Sequence, residues 1–257
     1  MRLILSMGVL VLLILTGCNQ NSERLVKQFA PPEDETKATN YISQLRQGRY
    51  EEIQKDMDAS ITTADTHDTL VKMAALIPPQ DAISVKVVGA QQFSSQGTYK
   101  INLTFEYQFP TNWLLINVAL QRKDGVSTIW GFHVKQMPDS LENYNKFTLT
   151  RKTVFQYAMF SLAILVPIFV LCVLVLCIRT KMKKRKWLWI IFILFGIGRI
   201  TVNWTTGEWD SSLLQFQLFG AGAFAPPYGA WLIAVSIPLG AILFLLQRKN
   251  LAASKEP

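Results

Sequence analysis

The sequence predicts an α+β domain that is followed by a transmembrane region of three apolar helices. Three observations lead to this prediction: helical periodicity before residue 78, strict alternation of apolar side chains after it, and three long apolar runs towards the C-terminus. Hydrophobic residues make up 50% of the 257 residues and charged residues only 17%, against roughly 25% charged in soluble domains. We therefore expect neither a disordered chain nor a purely soluble protein.

The net charge of +8 is unevenly distributed along the chain. Residues 19–147 carry 13 basic against 15 acidic side chains, whereas residues 148–257 carry 12 against 3. The basic residues of the second segment lie beside apolar runs, where they act as signals of membrane orientation. A nucleic-acid-binding protein needs a basic face on a folded module instead, so no nucleic acid partner is predicted.

The N-terminus is predicted to be a lipoprotein signal peptide, residues 1–17. Its apolar stretch, residues 3–15, is shorter than the ~20 residues that a spanning helix needs. It ends in Leu15-Thr16-Gly17-Cys18, which resembles the lipobox of bacterial lipoproteins. The resemblance implies cleavage before Cys18 and acylation of its thiol with palmitate-type chains, which would anchor the protein firmly in a membrane. The alternative is an uncleaved signal anchor in which Cys18 has no such role.

Residues 18–32 are polar and contain Pro31-Pro32, which predicts a lipidated tether. An extracytoplasmic domain, residues 33–147, then begins with three helices. Apolar residues recur at helical spacing on both sides of Gly48: Tyr41, Ile42 and Leu45 before it, and Tyr50, Ile53 and Met57 after it. A third helix, residues 66–77, has Asp65 or Thr66 as its N-cap and stops before Pro78.

Four strands follow these helices. A first strand is predicted within residues 82–93. The next three alternate at Tyr99, Ile101, Leu103, Phe105, Tyr107 and Phe109, at Leu114, Ile116, Val118 and Leu120, and at Trp130, Phe132 and Val134. Short turns, such as Lys123-Asp124-Gly125, separate the strands. The strands therefore predict an antiparallel meander with one face covered by the helices.

Three helices followed by a four-stranded sheet resemble the nuclear-transport-factor-2-like superfamily, the cone-shaped fold of ketosteroid-isomerase-like proteins. The segment from Leu45 through Gly48 and Tyr50 to Ile53 is similar to the signature at the first helix break of that superfamily. The resemblance implies a cone with an apolar pocket, in which Gly48 ends a helix in the left-handed conformation and Tyr50 plugs the cone. It implies no particular activity, because this fold hosts enzymes, binding modules and assembly adaptors.

Few polar residues of this domain are candidates for a pocket or functional surface. They are Asp81, His133 and Asp139, and none has a spacing that is diagnostic of catalysis. Glu106 and His133 alternate with apolar neighbours, so both are predicted to face solvent. The sequence contains no metal-ligand spacing, nucleophile elbow or phosphate-binding loop, and we expect no metal, cofactor or catalytic residue.

Three transmembrane helices are predicted at residues 153–178, 187–204 and 228–246. Basic residues follow the first and third helices, so the first connection and the tail, residues 247–257, are predicted to be cytoplasmic. The α+β domain then lies on the other side of the bacterial cytoplasmic membrane.

Four features of this region are predicted to have specific roles. Arg199 is a candidate intramembrane charge that snorkels to the interface or, alternatively, serves a lipid headgroup or an ion path. Pro238 lies in the middle of the third helix, where it permits a kink and is expected to serve packing, and Ser236 with Gly240 forms a small-residue face for helix contact. The external loop, residues 205–227, is apolar enough over residues 211–219 to lie in the interface, which indicates an interfacial or re-entrant segment or, equally, a plain loop.

Three functions remain open from the sequence. The first is a lipid-anchored envelope protein whose domain binds a ligand, a protein partner or a second copy. The second is an enzyme that uses the cone pocket on a small apolar or lipid substrate, and the third is a subunit of an oligomeric transporter. In each case the chain contacts membrane lipids.

Overall fold

The computed structural model describes residues 22–95, 97–182 and 186–253. The chain folds into two compact units, with the boundary between Tyr144 and Asn145. The described part of the chain is α+β, with eight helices and two antiparallel four-stranded sheets. The signal peptide and Cys18 lie outside the described residues, so the lipobox stays a prediction.

The sheet of the first unit is a meander with the order β1-β2-β3-β4, as predicted. Its strands are β1 (Ser84–Ser95), β2 (Thr98–Gln108), β3 (Trp113–Lys123) and β4 (Val126–Met137). The predicted turn at Asp124-Gly125 is present, with both residues at positive φ (51° and 80°). One sheet face is buried, because the predicted apolar positions of β2 and β3 point into the core.

From residue 22 onwards, four helices precede this sheet: α1 (Ser22–Gln28), α2 (Pro32–Arg46), α3 (Tyr50–Lys55) and α4 (Thr66–Ala75). The last three are those predicted from periodicity, and Ile42, Leu45, Ile53 and Leu70 are buried on them. Gly48 follows α2 with a φ of +73°, in the left-handed region. Thr66 begins α4 as predicted, although its hydroxyl accepts a hydrogen bond from the backbone of Thr63 rather than capping the helix.

The prediction of a tether is wrong for residues 22–28, which form α1. This helix packs beside β1 and buries Val26, while Ala30 is buried just after it. The Gln92 side chain of β1 also donates a hydrogen bond to the carbonyl of Phe29 (2.8 Å). The polar composition concealed these few apolar contacts, which are enough to dock a short helix.

A bulge changes the predicted alternation in β4. Its pairing with β3 shifts between Ala119 and Leu120, so Ile129 faces the core and Trp130 does not. The prediction that Trp130 shares a face with Phe132 and Val134 is therefore wrong. A short helix, α5 (Leu141–Tyr144), follows β4 and ends the first unit.

The second unit does not contain the predicted region of three membrane helices. Its elements are α6 (Val154–Arg179), α7 (Lys186–Leu194), β5 (Phe195–Asn203), β6 (Trp209–Leu218), β7 (Ala221–Phe224), β8 (Leu232–Ile237) and α8 (Leu239–Ala253). Within the described residues, α6 is the one helix long and apolar enough to cross a membrane.

Glycine and proline explain where the predicted second and third spans fail. The run at residues 187–204 changes from helix to strand between Leu194 and Phe195, just before Gly196 and Gly198, and Gly198 has a φ of +72°. The run at residues 228–246 is β8 followed by α8, and Pro238 lies immediately before that helix. A proline there costs little, because the first amides of a helix have no intrahelical partner. Pro238 thus precedes a helix instead of kinking one.

The second sheet has the order β6-β5-β8-β7, and the segment predicted as an external loop supplies β6 and β7. The N-terminal half of α6 packs on this sheet through Met159, which lies in a buried cluster with Val202, Trp204 and Ile233. Its C-terminal half packs against α7 and α8 around a second buried cluster: Val170, Val173, Cys177, Ile193, Ala241 and Phe244. The long helix therefore supports both the sheet and the two short helices.

Candidate functional site

The polar residues predicted as candidates in the first unit do not form a common site. Asp81 is fully exposed and lies 3.5 Å from the Arg46 guanidinium. His133 is exposed on the outer face of β4, opposite Asn117, so its predicted outward orientation is confirmed. Asp139 accepts hydrogen bonds from the backbone of Ser140 and the side chain of Asn143. Each of these three residues therefore interacts only with its own neighbours.

Glu106 was predicted to face solvent, and that prediction is wrong. Its side chain is buried, with 4% of the residue exposed, and it accepts a hydrogen bond from the backbone amide of Leu141. Leu141 is the first residue of α5, whose amides lack intrahelical partners. Glu106 and Asp139 together therefore hold the start of α5, and alternation alone could not reveal that a later segment covers this part of the sheet.

No sequence pattern indicated the buried ion pair between α2 and β3. The guanidinium of Arg122 donates to one oxygen of Asp34 (2.9 Å), and the hydroxyl of Tyr99 donates to the other (3.1 Å). Burial and the Asp34 carboxylate raise the pKa of Tyr99 to about 12. Because Asp34 lies among three consecutive acidic residues, no sequence signal distinguishes it from its exposed neighbours. This cluster ties α2 to the sheet.

Among the described residues, no group of three or more His, Cys, Asp and Glu side chains is placed to hold a metal ion.

An exposed aromatic and basic surface lies on the outer face of the first sheet. We call it the Trp130 patch and define it as Phe93, Lys100, Lys123 and Trp130. The ammonium nitrogen of Lys100 lies 3.6 Å from the centroid of the Trp130 ring, and Phe93 pairs directly with Lys100 across β1 and β2. Phe93 is 61% exposed and Trp130 is 44% exposed. A groove of about 320 Å³ runs between Phe93, Lys100 and Lys123.

The bulge in β4 produces this patch. Without the register shift, alternation would place Trp130 on the inner face of the sheet with the core residues. The extra residue places Trp130 on the outer face instead, where the Lys100 ammonium covers its ring. Bulges are commonly used to redirect a side chain at a functional position. Sequence alternation could not identify this residue, because it treated Trp130 as part of the core.

The second unit has a largely apolar surface. On α6, Leu165 and Ile168 are exposed, and the strand β6 exposes Leu213 (84%) and Leu214 (91%). These two leucines lie in a wide bulge, where three residues of β6 stand opposite the single residue Gly198 of β5. The predicted apolar segment is thus an edge strand with two extruded leucines, while Phe219 packs against the helical cluster.

Arg199 was expected on a membrane helix, whereas the structure places it on β5. It pairs in register with Ser212, on the same side of the sheet as Thr201 and Asp210 and opposite the side on which Val202 packs against α6. Arg199 is half-buried and has no hydrogen bond or ion pair within the described part of the chain. On β5 and β6, the face turned away from α6 is therefore polar, whereas β7 and β8 contribute Phe224 and Leu232 to the same face.

Basic residues gather at the C-terminal end of α6. Lys186 donates a hydrogen bond to the carbonyl of Ile178, and Arg248 donates to the hydroxyl of Thr180 (3.3 Å). Arg179, Lys181 and Lys249 lie close to them in sequence. At the other end of α6, Gln156 donates to the carbonyl of Trp204 (2.8 Å), close to the turn that carries Glu208. Glu208 is thus at the end of α6 opposite the one where these basic residues lie.

Comparisons of the chain with protein family models, curated proteins and solved structures found no match.

Proposed function

We propose that this protein is a membrane-anchored binding module of the bacterial envelope. In this proposal, the second unit holds the chain in the cytoplasmic membrane, and the first unit binds a protein partner on the extracytoplasmic side. The Trp130 patch is the observation on which the binding role rests. The nuclear-transport-factor-2-like relationship is part of the proposal and is supported by the order of helices and strands in the first unit.

Membrane anchoring is supported by the length and surface of α6. Its 26 residues would be roughly 39 Å long at 1.5 Å per residue, enough to cross a ~30 Å hydrocarbon core. Its exposed side chains are mostly leucine, isoleucine and valine. The basic residues at its C-terminal end favour a cytoplasmic location for that end by the positive-inside rule. The first unit precedes α6 and would therefore be extracytoplasmic.

Binding is supported by the composition and construction of the Trp130 patch. Exposed aromatic side chains are enriched in protein interfaces, and clustered exposed apolar groups mark interaction sites. A cation over an aromatic ring also holds the ring in one orientation, which reduces the side-chain entropy that is lost on binding. A binding role fits better than catalysis, because the candidate polar residues do not form one site. Glu106 and Asp139 hold the start of α5, and neither Asp81 nor His133 lies beside them.

Site-specific photocrosslinking in intact membranes tests the binding role. A photoreactive residue replaces Phe93 or Trp130 in turn, and Ile83, which is exposed at the other end of β1, serves as the control position. We expect a protein adduct of one defined mass from the first two positions and none from Ile83. Lys100→Ala should weaken the adduct from position 93. Equal adducts at all three positions, or lipid adducts alone, would contradict the proposal.

Lipid attachment at Cys18 is tested separately by metabolic labelling with an alkyne analogue of palmitate. Labelling should be lost in Cys18→Ser and kept when Cys172 and Cys177 are both replaced by serine. Loss of label in the second variant instead would show that the acylated thiol lies elsewhere.

A further inference from the structure

An apolar groove follows one side of α7 in the second unit. We call it the α7 groove; it is lined by Leu188, Trp189, Ile191, Phe192, Phe195 and Phe216. Five of these residues lie on α7 or at its C-terminal end, and Phe216 closes the far end from β6. The volume of about 810 Å³ is within the ~300–1,000 Å³ range of small-molecule sites. Aliphatic and aromatic side chains form the whole lining. The part of an occupant that lies along this surface is therefore expected to be apolar.

The two ends of the α7 groove differ in charge. Its start at Leu188 lies two residues after Lys186, at the basic end of the unit, and Trp187 is exposed between them. Tryptophan and lysine side chains at such a position are typical of the level of lipid headgroups. Its other end, at Phe195 and Phe216, has no charged lining residue. An elongated molecule with an anionic end and an apolar tail fits this arrangement.

We infer that the α7 groove binds an acyl chain of an anionic phospholipid from the cytoplasmic leaflet. This inference rests on the proposed membrane anchoring of the second unit. The headgroup phosphate lies near Lys181 and Lys186, and one acyl chain follows α7 towards Phe216. Because α7 has nine residues and spans only ~14 Å, it reaches about half of the hydrocarbon thickness. The bound acyl chain fills the space next to α7 that a longer helix would occupy.

Native mass spectrometry of the full-length protein, purified in mild detergent, tests this inference. The delipidated protein is incubated with phosphatidylglycerol or with phosphatidylcholine, and the retained lipid is counted. We expect one retained phosphatidylglycerol, and roughly tenfold weaker retention, equivalent to ~1.4 kcal/mol, when Ile191→Trp fills the groove. Phe216→Ser removes the far wall without adding volume and should weaken retention as well. The matched control is Leu165→Trp, on the exposed surface of α6, which should retain lipid as the unaltered protein does.

Three results would overturn the inference. They are equal retention by the unaltered protein and both groove variants, equal retention of phosphatidylcholine, and retention of added lipid only in Cys18→Ser. The last result would show that the chain's own acyl group occupies the groove in the unaltered protein. Carbonate extraction of membranes separates this inference from the proposed function. If the groove variants stay in the membrane and lose lipid, both the lipid-binding inference and the proposed membrane anchoring are supported. If the unaltered protein is extracted by carbonate, the membrane proposal fails, whatever lipid the groove binds.

Discussion

A Cβ atom added to Gly240 would lie 1.9 Å from the carbonyl oxygen of Phe192. Gly240 is in the first turn of α8 and Phe192 is near the end of α7, so these helices touch backbone to backbone. The sequence pointed to Gly240 as part of a small-residue helix face with Ser236. Gly240 does allow a close helix contact, whereas Ser236 lies on β8 and donates its hydroxyl to Gln217 (2.8 Å).

Gly240→Ala should destabilise the second unit. The added methyl group has no space unless α7 and α8 separate, and overpacking of this kind costs ~1–3 kcal/mol. Thermal unfolding in lipid nanodiscs measures the effect. Leu246→Ala, at an exposed position of the same helix, is the control and should cost less than ~0.5 kcal/mol. Equal losses from the two substitutions would contradict the contact.

Arg122→Ala should destabilise the first unit by ~1–3 kcal/mol, because it leaves the buried Asp34 carboxylate without its half-buried charged partner. The double variant Asp34→Leu with Arg122→Met should recover most of the loss. Chemical denaturation measures both. Arg46→Ala removes an ion pair to the fully exposed Asp81, so it should cost ~1 kcal/mol or less. A loss in the double variant as large as in Arg122→Ala would argue against a buried charge.

Alkaline pH should destabilise the first unit through Tyr107. Burial raises the pKa of Tyr107 from 10.0 to about 12. The Tyr107 hydroxyl therefore loses its proton at lower pH in the unfolded chain than in the folded one. Its contribution to the free energy of unfolding is intact below pH 10 and is lost as the pH rises towards 12. Tyr107→Phe removes this loss. The free energy of unfolding, measured from pH 9 to 12, should therefore fall less steeply in the variant, and parallel curves would refute the assignment.

Periodicity predicted the first unit well because each element there has one buried face. Alternation at Ile101, Leu103 and Phe105 shows in sequence where the core lies. It failed at Trp130, where a bulge adds a residue, and at Glu106, where a later segment covers the sheet. Both effects depend on non-local contacts that no local pattern contains.

The second unit was predicted poorly because apolar runs of similar composition form helices or strands. At residues 187–204 and 228–246, length and hydropathy suggested spanning helices. The outcome was decided by Gly196, Gly198 and Pro238, together with β-branched residues such as Ile197 and Val202. The polar cluster of Asp34, Arg122 and Tyr99 was missed because its members are far apart in the chain and individually ordinary.

The extruded leucines of β6 should contact the membrane interface. A cysteine at Leu214 is labelled with an environment-sensitive fluorophore in a chain with its other cysteines replaced, and Ile83, exposed in the first unit and outside the Trp130 patch, is labelled in the same way as the aqueous reference. We expect blue-shifted emission and quenching by spin-labelled lipids at position 214 alone. Water-like emission there would contradict contact of β6 with the membrane interface.

Accessibility of single cysteines in intact spheroplasts tests whether α6 crosses the membrane with the first unit outside, on which the proposed function depends. Cysteines are placed at Ile83, exposed in the first unit and outside the Trp130 patch, and at Lys181, just after α6. An impermeant maleimide should label position 83 in intact spheroplasts and position 181 only after lysis. Labelling of both positions before lysis, or of position 181 alone, would contradict this topology.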